Sequence, residues 1–162
     1  MRFVPLKSAE RQSVLTLHKA RELLVRQRTM LINAIRGHCA EFGLIAPLGA
    51  RKVDELIEDV RSADEAIVPD IARTALLALA DQLALLADEI GRMDRRLLAW
   101  HRQDELSQRL ATIPGVGVIG ATALSASIPN PTMFRSGREF AAFLGLEGGN
   151  SRPERNIVGL GI

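Results

Sequence analysis

Residues 110–124 read Leu-Ala-Thr-Ile-Pro-Gly-Val-Gly-Val-Ile-Gly-Ala-Thr-Ala-Leu. Leu110 and Ile113 close one amphipathic turn, and Pro114 with Gly115 stops it. Gly115 and Gly117 permit a tight bend that a Cβ would hinder. A second helix opens after it, with backbone N–H groups that have no partner inside the helix. Such groups suit a phosphate oxygen and carry no base information. Gly115 and Gly117 are therefore candidate phosphate contacts. No Lys or Arg lies between Arg109 and Arg135, so positive charge must come from elsewhere. Arg135 and Arg138 are one source. Arg21, Arg26, Arg28 and Arg36 form a second candidate patch. The alternative is a glycine turn that merely packs two small-residue helices. Ser151 is a weak candidate nucleophile, because no His, Asp or Lys adjoins it to activate its hydroxyl. Three His and one Cys argue against a dedicated zinc site, and no metal ligand is assigned.

The whole chain sets limits on these candidates. It has 162 residues and a formal net charge of +2. Hydrophobic residues make up 47% and charged residues 25%, which excludes a disordered or collagen-like chain. Tyr is absent and aromatics are 4%, which favours helices packed through Leu and Ala over a β-sandwich. No apolar run has the length of a membrane helix, and the first twenty residues carry charges throughout, so neither a membrane span nor a signal peptide is expected. The lone Cys39 excludes an internal disulfide framework and points to a reducing, cytoplasmic compartment. Charge is uneven. Residues 1–43 hold eight Lys/Arg against three Asp/Glu, residues 44–106 eight against thirteen, and residues 107–162 five against three. Two basic ends flank an acidic middle, and a basic segment attracts phosphate.

The elements that must position the glycine turn are all helical by pattern. Ser8 with Glu10 marks a helix start. Leu17, Leu24, Leu31, Ile35 and Phe42 follow on one side, and Gly43 marks the stop. Arg26 and Arg36 lie away from that stripe, with Arg21 and Arg28 at its edge. After Pro47 and Gly49 a short acidic helix is predicted over 53–61 and a loop over 62–68, and Pro69 suits the first turn of a third helix. There Ala72, Leu76, Leu79, Leu83, Leu86, Ile90, Met93, Leu97 and Trp100 alternate at spacings of four and three, an a/d seam. The seam must face residues 8–43 of the same chain, as a hairpin, or another subunit. At ~30 residues, roughly 45 Å, it favours a homo-oligomer contact through 72–100. Asp104 is placed to cap the next helix, with Leu106, Leu110 and Ile113 inward. Gly120 and Ala121 are small enough for the two hairpin helices to approach closely. Ser136 with Glu139 has capping-box spacing for a last helix that carries Phe140, Phe143 and Leu144.

The expected fold class is all-α: a long helical hairpin or coiled-coil arm over 1–106, then a small helix-hairpin-helix unit over 107–146, then a divergent tail over 147–162. The Gly-Val-Gly-x-x-x-Ala core of the turn resembles the helix-hairpin-helix module of DNA-binding proteins.

Longer stretches resemble a family. Residues 1–5 (Met-Arg-Phe-Val-Pro), 22–38 (Glu-Leu-Leu-Val-Arg-Gln-Arg-Thr-Met-Leu-Ile-Asn-Ala-Ile-Arg-Gly-His) and 40–43 (Ala-Glu-Phe-Gly) are one block. Residues 110–117 are the second, and 134–146 (Phe-Arg-Ser-Gly-Arg-Glu-Phe-Ala-Ala-Phe-Leu-Gly-Leu) the third. In this order and spacing they resemble insertion-sequence transposases with a DEDD metal-binding domain and a catalytic serine, the bridge-RNA-guided recombinases. The resemblance covers roughly residues 1–146.

It implies an N-terminal acidic domain that binds magnesium, a coiled-coil assembly segment, and a C-terminal domain that opens with the glycine hairpin and supplies a serine nucleophile. No stretch of this chain matches the acidic positions, so the magnesium role is carried onto none of its residues. The family's Ser-x-Gly-Gly-Lys-like motif is not met around Ser151. Suitable synonymous codons for 148–161, read two nucleotides later, spell a Ser-Ala-Gly-containing stretch like that motif. The expectation is a frameshift near Leu146 and a chain truncated at both ends. It would contribute DNA binding (guide RNA is a further expected partner) and subunit assembly to transposition, without complete catalytic machinery. The competing expectation is a stand-alone helical dimerisation protein with no nucleic-acid role.

Overall fold

The computed structural model describes residues 8–128, except Leu48, Ala50 and the side chain of Arg51. Arg135, Arg138, Ser151, the helix expected from Ser136 and the 147–162 tail lie outside the described residues. Among the described residues there are five helices and no strand: α1 (Ala9–Glu41), α2 (Arg51–Ser62), α3 (Asp70–His101), α4 (Glu105–Ala111) and α5 (Val118–Ser127). The all-α expectation holds.

α1 begins and ends where its local chemistry dictates. Ser8 Oγ accepts from the Arg11 backbone N–H at 3.2 Å. At the other end Gly43 takes φ +77°, and the N–H groups of Gly43 and Leu44 donate back to the carbonyls of Ala40 and Cys39. Only glycine adopts that left-handed conformation without steric cost. α3 starts one residue later than expected: Pro69, at φ −56° and ψ 147°, is its N-cap rather than its first helical residue.

The two long helices lie antiparallel. Glu10 meets Trp100 and Arg21 meets Asp94, while Ile35 shares a core with Leu76 and Leu83. In α3 the residues seven apart, Leu76, Leu83, Ile90 and Leu97, are buried, and Leu79, Leu86, Met93 and Trp100 between them are half-buried. The seam thus packs within its own chain, against α1, with α2 and α5 laid across its two halves. This is the hairpin arrangement. A subunit contact along 72–100 has only the outward apolar positions left to use, such as Leu85 and Leu98.

The core has two parts. One gathers Ile35, Cys39, Val53, Leu56, Val60, Val68, Leu76 and Leu83 where α1, α2 and α3 meet. The other joins Val14, Leu97 and Ala126, with Leu17, Trp100 and Ile119 against it. Arg21 and Arg28 lie between the two along α1. They stand seven residues apart in the series Val14, Arg21, Arg28, Ile35, so they sit on the buried side of the helix, and the structure half-buries both. Arg21 meets its charge partner Asp94 from α3, with a second contact from Nη2 at 3.5 Å. A cation at a seam position persists when an anion faces it.

Candidate functional site

The glycine turn is held by a short helical hairpin built against the end of the arm. Asp104 starts it. Its Oδ1 accepts from the Ser107 N–H at 3.0 Å and caps α4, and its Oδ2 accepts from the Ser125 hydroxyl of α5 at 2.9 Å. One carboxylate therefore fixes both helices. Ser107 Oγ is hydrogen-bonded to His101 Nδ1 at 2.7 Å, and Gln108 Nε2 donates to the last carbonyls of α3. The start of α4 is thus tied to the end of α3.

α5 docks through small side chains. Ala121, Thr122, Ser125 and Ala126 are its buried residues. The Thr122 hydroxyl donates to Ile119 O at 2.9 Å, so its oxygen is left to accept from His18 Nε2 of α1 at 3.1 Å. That assigns the His18 proton to Nε2. Burial, and secondarily the Arg21 guanidinium, hold the His18 pKa below its ordinary value. At the end of α5 the carbonyl of Ile128 accepts from Arg11. With Thr122 beside His18 and Ile128 beside Arg11, α5 runs antiparallel to α1. Equal rise per residue then sets Val118 alongside Glu22.

The turn itself stands in the open. Pro114, Gly115 and Gly117 are exposed, and a Cβ placed on either glycine would meet nothing within 4 Å. Gly115 has φ +88°, a conformation that requires glycine. Gly117 is the N-cap of α5 and offers no side-chain hydrogen bond to the helix's first N–H groups. Two expectations are corrected here. Ile113 is exposed rather than inward, because α4 ends at Ala111 and residue 113 leaves the helical face. Gly120 also faces outward, against the Val116 side chain, so the close helix approach is made by Ala121, Ser125 and Ala126.

The four arginines of the second patch do not gather. Arg21 is spent on Asp94. Arg36 Nη2 donates to the carbonyls of Pro47 and Gly49, both at 2.8 Å, and braces the α1–α2 loop. Arg26 is exposed, 3.9 Å from Glu22. Arg28 is half-buried and makes no ion pair among the described residues.

Residues 107–152 match the IS116/IS110/IS902 transposase family. The matched segment opens at Ser107 in α4 and takes in the whole glycine turn and α5. Similarity to transposases extends well beyond it. A putative transposase (y4pF/y4sB) of Sinorhizobium fredii is 46% identical over 146 residues, which is 90% of this chain and 37% of that protein. A probable family 20 transposase of Pseudomonas aeruginosa is 44% identical over 147 residues, 90% of this chain and 44% of the relative. The transposase for insertion sequence element IS1111A of Coxiella burnetii is 35% identical, with 90% and 40% covered. The chain spans about two fifths of the length of these curated relatives. No solved structure matches it. No helix among the described residues is long and apolar enough to cross a membrane.

Sequence reasoning assigned no role to the polar residues that lock this transposase-like hairpin: His18, His101, Ser107, Thr122 and Ser125. Their partners are up to 104 positions away along the chain. The only local signal was small hydroxyl residues recurring in an otherwise apolar helix.

Proposed function

We propose that this chain acts in insertion-sequence transposition as a helical segment that contacts nucleic acid and supports subunit assembly. The reading rests on one observation: the Gly115–Gly117 turn is exposed, although the hairpin that carries it is fastened by part-buried hydrogen bonds from Asp104 to both helices and from His18 to α5. The first N–H groups of α5 then meet a phosphate oxygen. Arg26 and Arg28 are the α1 arginines not committed to a partner helix or loop, and Arg135 and Arg138 are further candidates that lie outside the described residues. Arg21 and Arg36 hold the frame. Strand cleavage and rejoining by a serine, the magnesium-binding acidic domain and a guide RNA belong to the parent enzyme in this reading, and none is assigned to residues 8–128. Exposed Leu23, Met30, Leu85 and Leu98 on the outer sides of α1 and α3 suit a second subunit.

Gly117→Ala tests the phosphate contact without disturbing the fold. Gly117 has an ordinary backbone conformation and open space at its Cβ, so the variant should lose less than about 1 kcal/mol of stability. The added methyl nevertheless stands where the phosphate would approach. Fluorescence anisotropy with a random duplex at ~50 mM salt should show affinity reduced by roughly tenfold, with steep salt dependence in the wild type. Wild-type protein that leaves the duplex unbound at that salt would favour the stand-alone helical dimerisation protein instead.

A further inference from the structure

The acidic middle of the sequence does not survive folding as a single acidic region. Antiparallel packing sets the last third of α3 beside the first half of α1, at the end that carries α4 and α5. Residues 8–28 and 89–128 together hold ten Lys/Arg against six Asp/Glu. Residues 29–88, which include α2 and the α2–α3 loop, hold five against ten. Among the described residues the fold is therefore basic at the hairpin end and acidic at the other.

The carboxylates of the basic end are mostly occupied. Glu22, Glu89 and Asp94 each face an arginine, Glu10 accepts from the Trp100 indole N–H at 2.8 Å, and Asp104 serves α4 and Ser125. Several cations are left over. Lys19, Arg95, Arg96, Arg102 and Arg109 are exposed and make no ion pair among the described residues. Arg95 on α3 and Arg102 at its C-cap are seven residues apart, close to two helical turns. Arg95, Arg96 and Arg102, close along the chain and without counter-ions, repel one another, which a polyanion would relieve.

We infer that this end of the hairpin is a tracking surface for the phosphodiester backbone of a nucleic-acid duplex, built by Arg95, Arg96 and Arg102. The surface supplies the positive charge that the glycine turn lacks in its own sequence. It rests on the nucleic-acid reading proposed above and adds the residues that set its strength. The contacts are to phosphates, so they are indifferent to base sequence.

The test compares two double variants with equal loss of charge in the full chain. Arg95→Gln with Arg102→Gln removes cations from the basic end. Lys52→Gln with Arg61→Gln removes them from the acidic end. All four side chains lie on the surface, so both variants should keep the wild-type circular dichroism and melting behaviour. Binding is read as log affinity against log salt with a random duplex. The Arg95/Arg102 variant should lose roughly two units of slope and at least tenfold in affinity at ~100 mM salt, while the Lys52/Arg61 variant stays near wild type. Arg95→Lys with Arg102→Lys should retain the slope. Matched DNA and RNA duplexes distinguish the source of the backbone, and a wild-type preference for either identifies it. Equal slopes for the two Gln variants overturn this inference and leave the glycine-turn reading standing. A wild type that binds neither duplex removes both.

Discussion

Asp104 carries two helices on one carboxylate, and its loss should be felt at both. Alanine there removes the α4 cap and leaves the fully buried Ser125 hydroxyl without its acceptor. A cap is worth about 1 kcal/mol, and an unpaired buried hydroxyl costs ~1–3 kcal/mol. Asp104→Ala should therefore destabilise by about 3 kcal/mol in chemical denaturation. Ser8→Ala, which removes only an exposed cap, should cost about 1 kcal/mol. Equal costs for the two would show that the Ser125 contact contributes nothing. Asp104 was legible as a cap from its position before Glu105. Its second bond was not, because Ser125 lies twenty-one residues on and nothing local points to it.

Between elements, the joint that matters most is the one where α5 meets α1. His18 is the titratable group in it, and α5 itself contributes no charged residue. Burial and Arg21 both oppose a proton on His18, so the folded state binds fewer protons than the unfolded chain near the ordinary value of 6.5. Stability should be full above that value and decline as pH falls through it. The decline should stay well under the one-proton ceiling of about 1.4 kcal/mol per pH unit, because the ring remains half solvated. His18→Gln keeps a donor for Thr122 and should flatten the curve between about pH 7 and 5. An unchanged curve in that variant would place the pH dependence elsewhere. The heptad spacing of α3 foretold a seam, and the spacing of Val14, Arg21, Arg28 and Ile35 held the same information for α1. It escapes a purely apolar pattern because two of those four positions are arginines.

On the scale of the whole molecule, the seam is satisfied within one chain, so any assembly must draw on what remains outside. Leu85 and Leu98 are 58% and 39% exposed on α3. If subunits meet there, Leu85→Gln with Leu98→Gln should shift light-scattering mass to the monomer and leave helical content unchanged. A wild type that is monomeric at ~100 μM would remove the subunit contact from this face. Charge also belongs to this scale. Arg95, Arg96 and Arg102 sit in a stretch of sequence that is acidic on average, and only the fold-back of α3 on α1 brings them to the same end as the first half of the N-terminal helix.

The helical class, the start of α1 at Ser8, its stop at Gly43, the Asp104 cap and the glycine turn can all be read from neighbouring residues. Each follows from short-range chemistry: backbone N–H groups that need an acceptor, a positive φ that needs glycine, an apolar side chain every three or four residues. Long-range packing sets the α3 seam inward on α1, commits Arg21 and Arg36 inside the chain, and leaves the Gly115–Gly117 bend exposed among the described residues. Those outcomes depend on which surfaces meet across dozens of residues, and burial and charge pairing at that range leave no mark on local spacing.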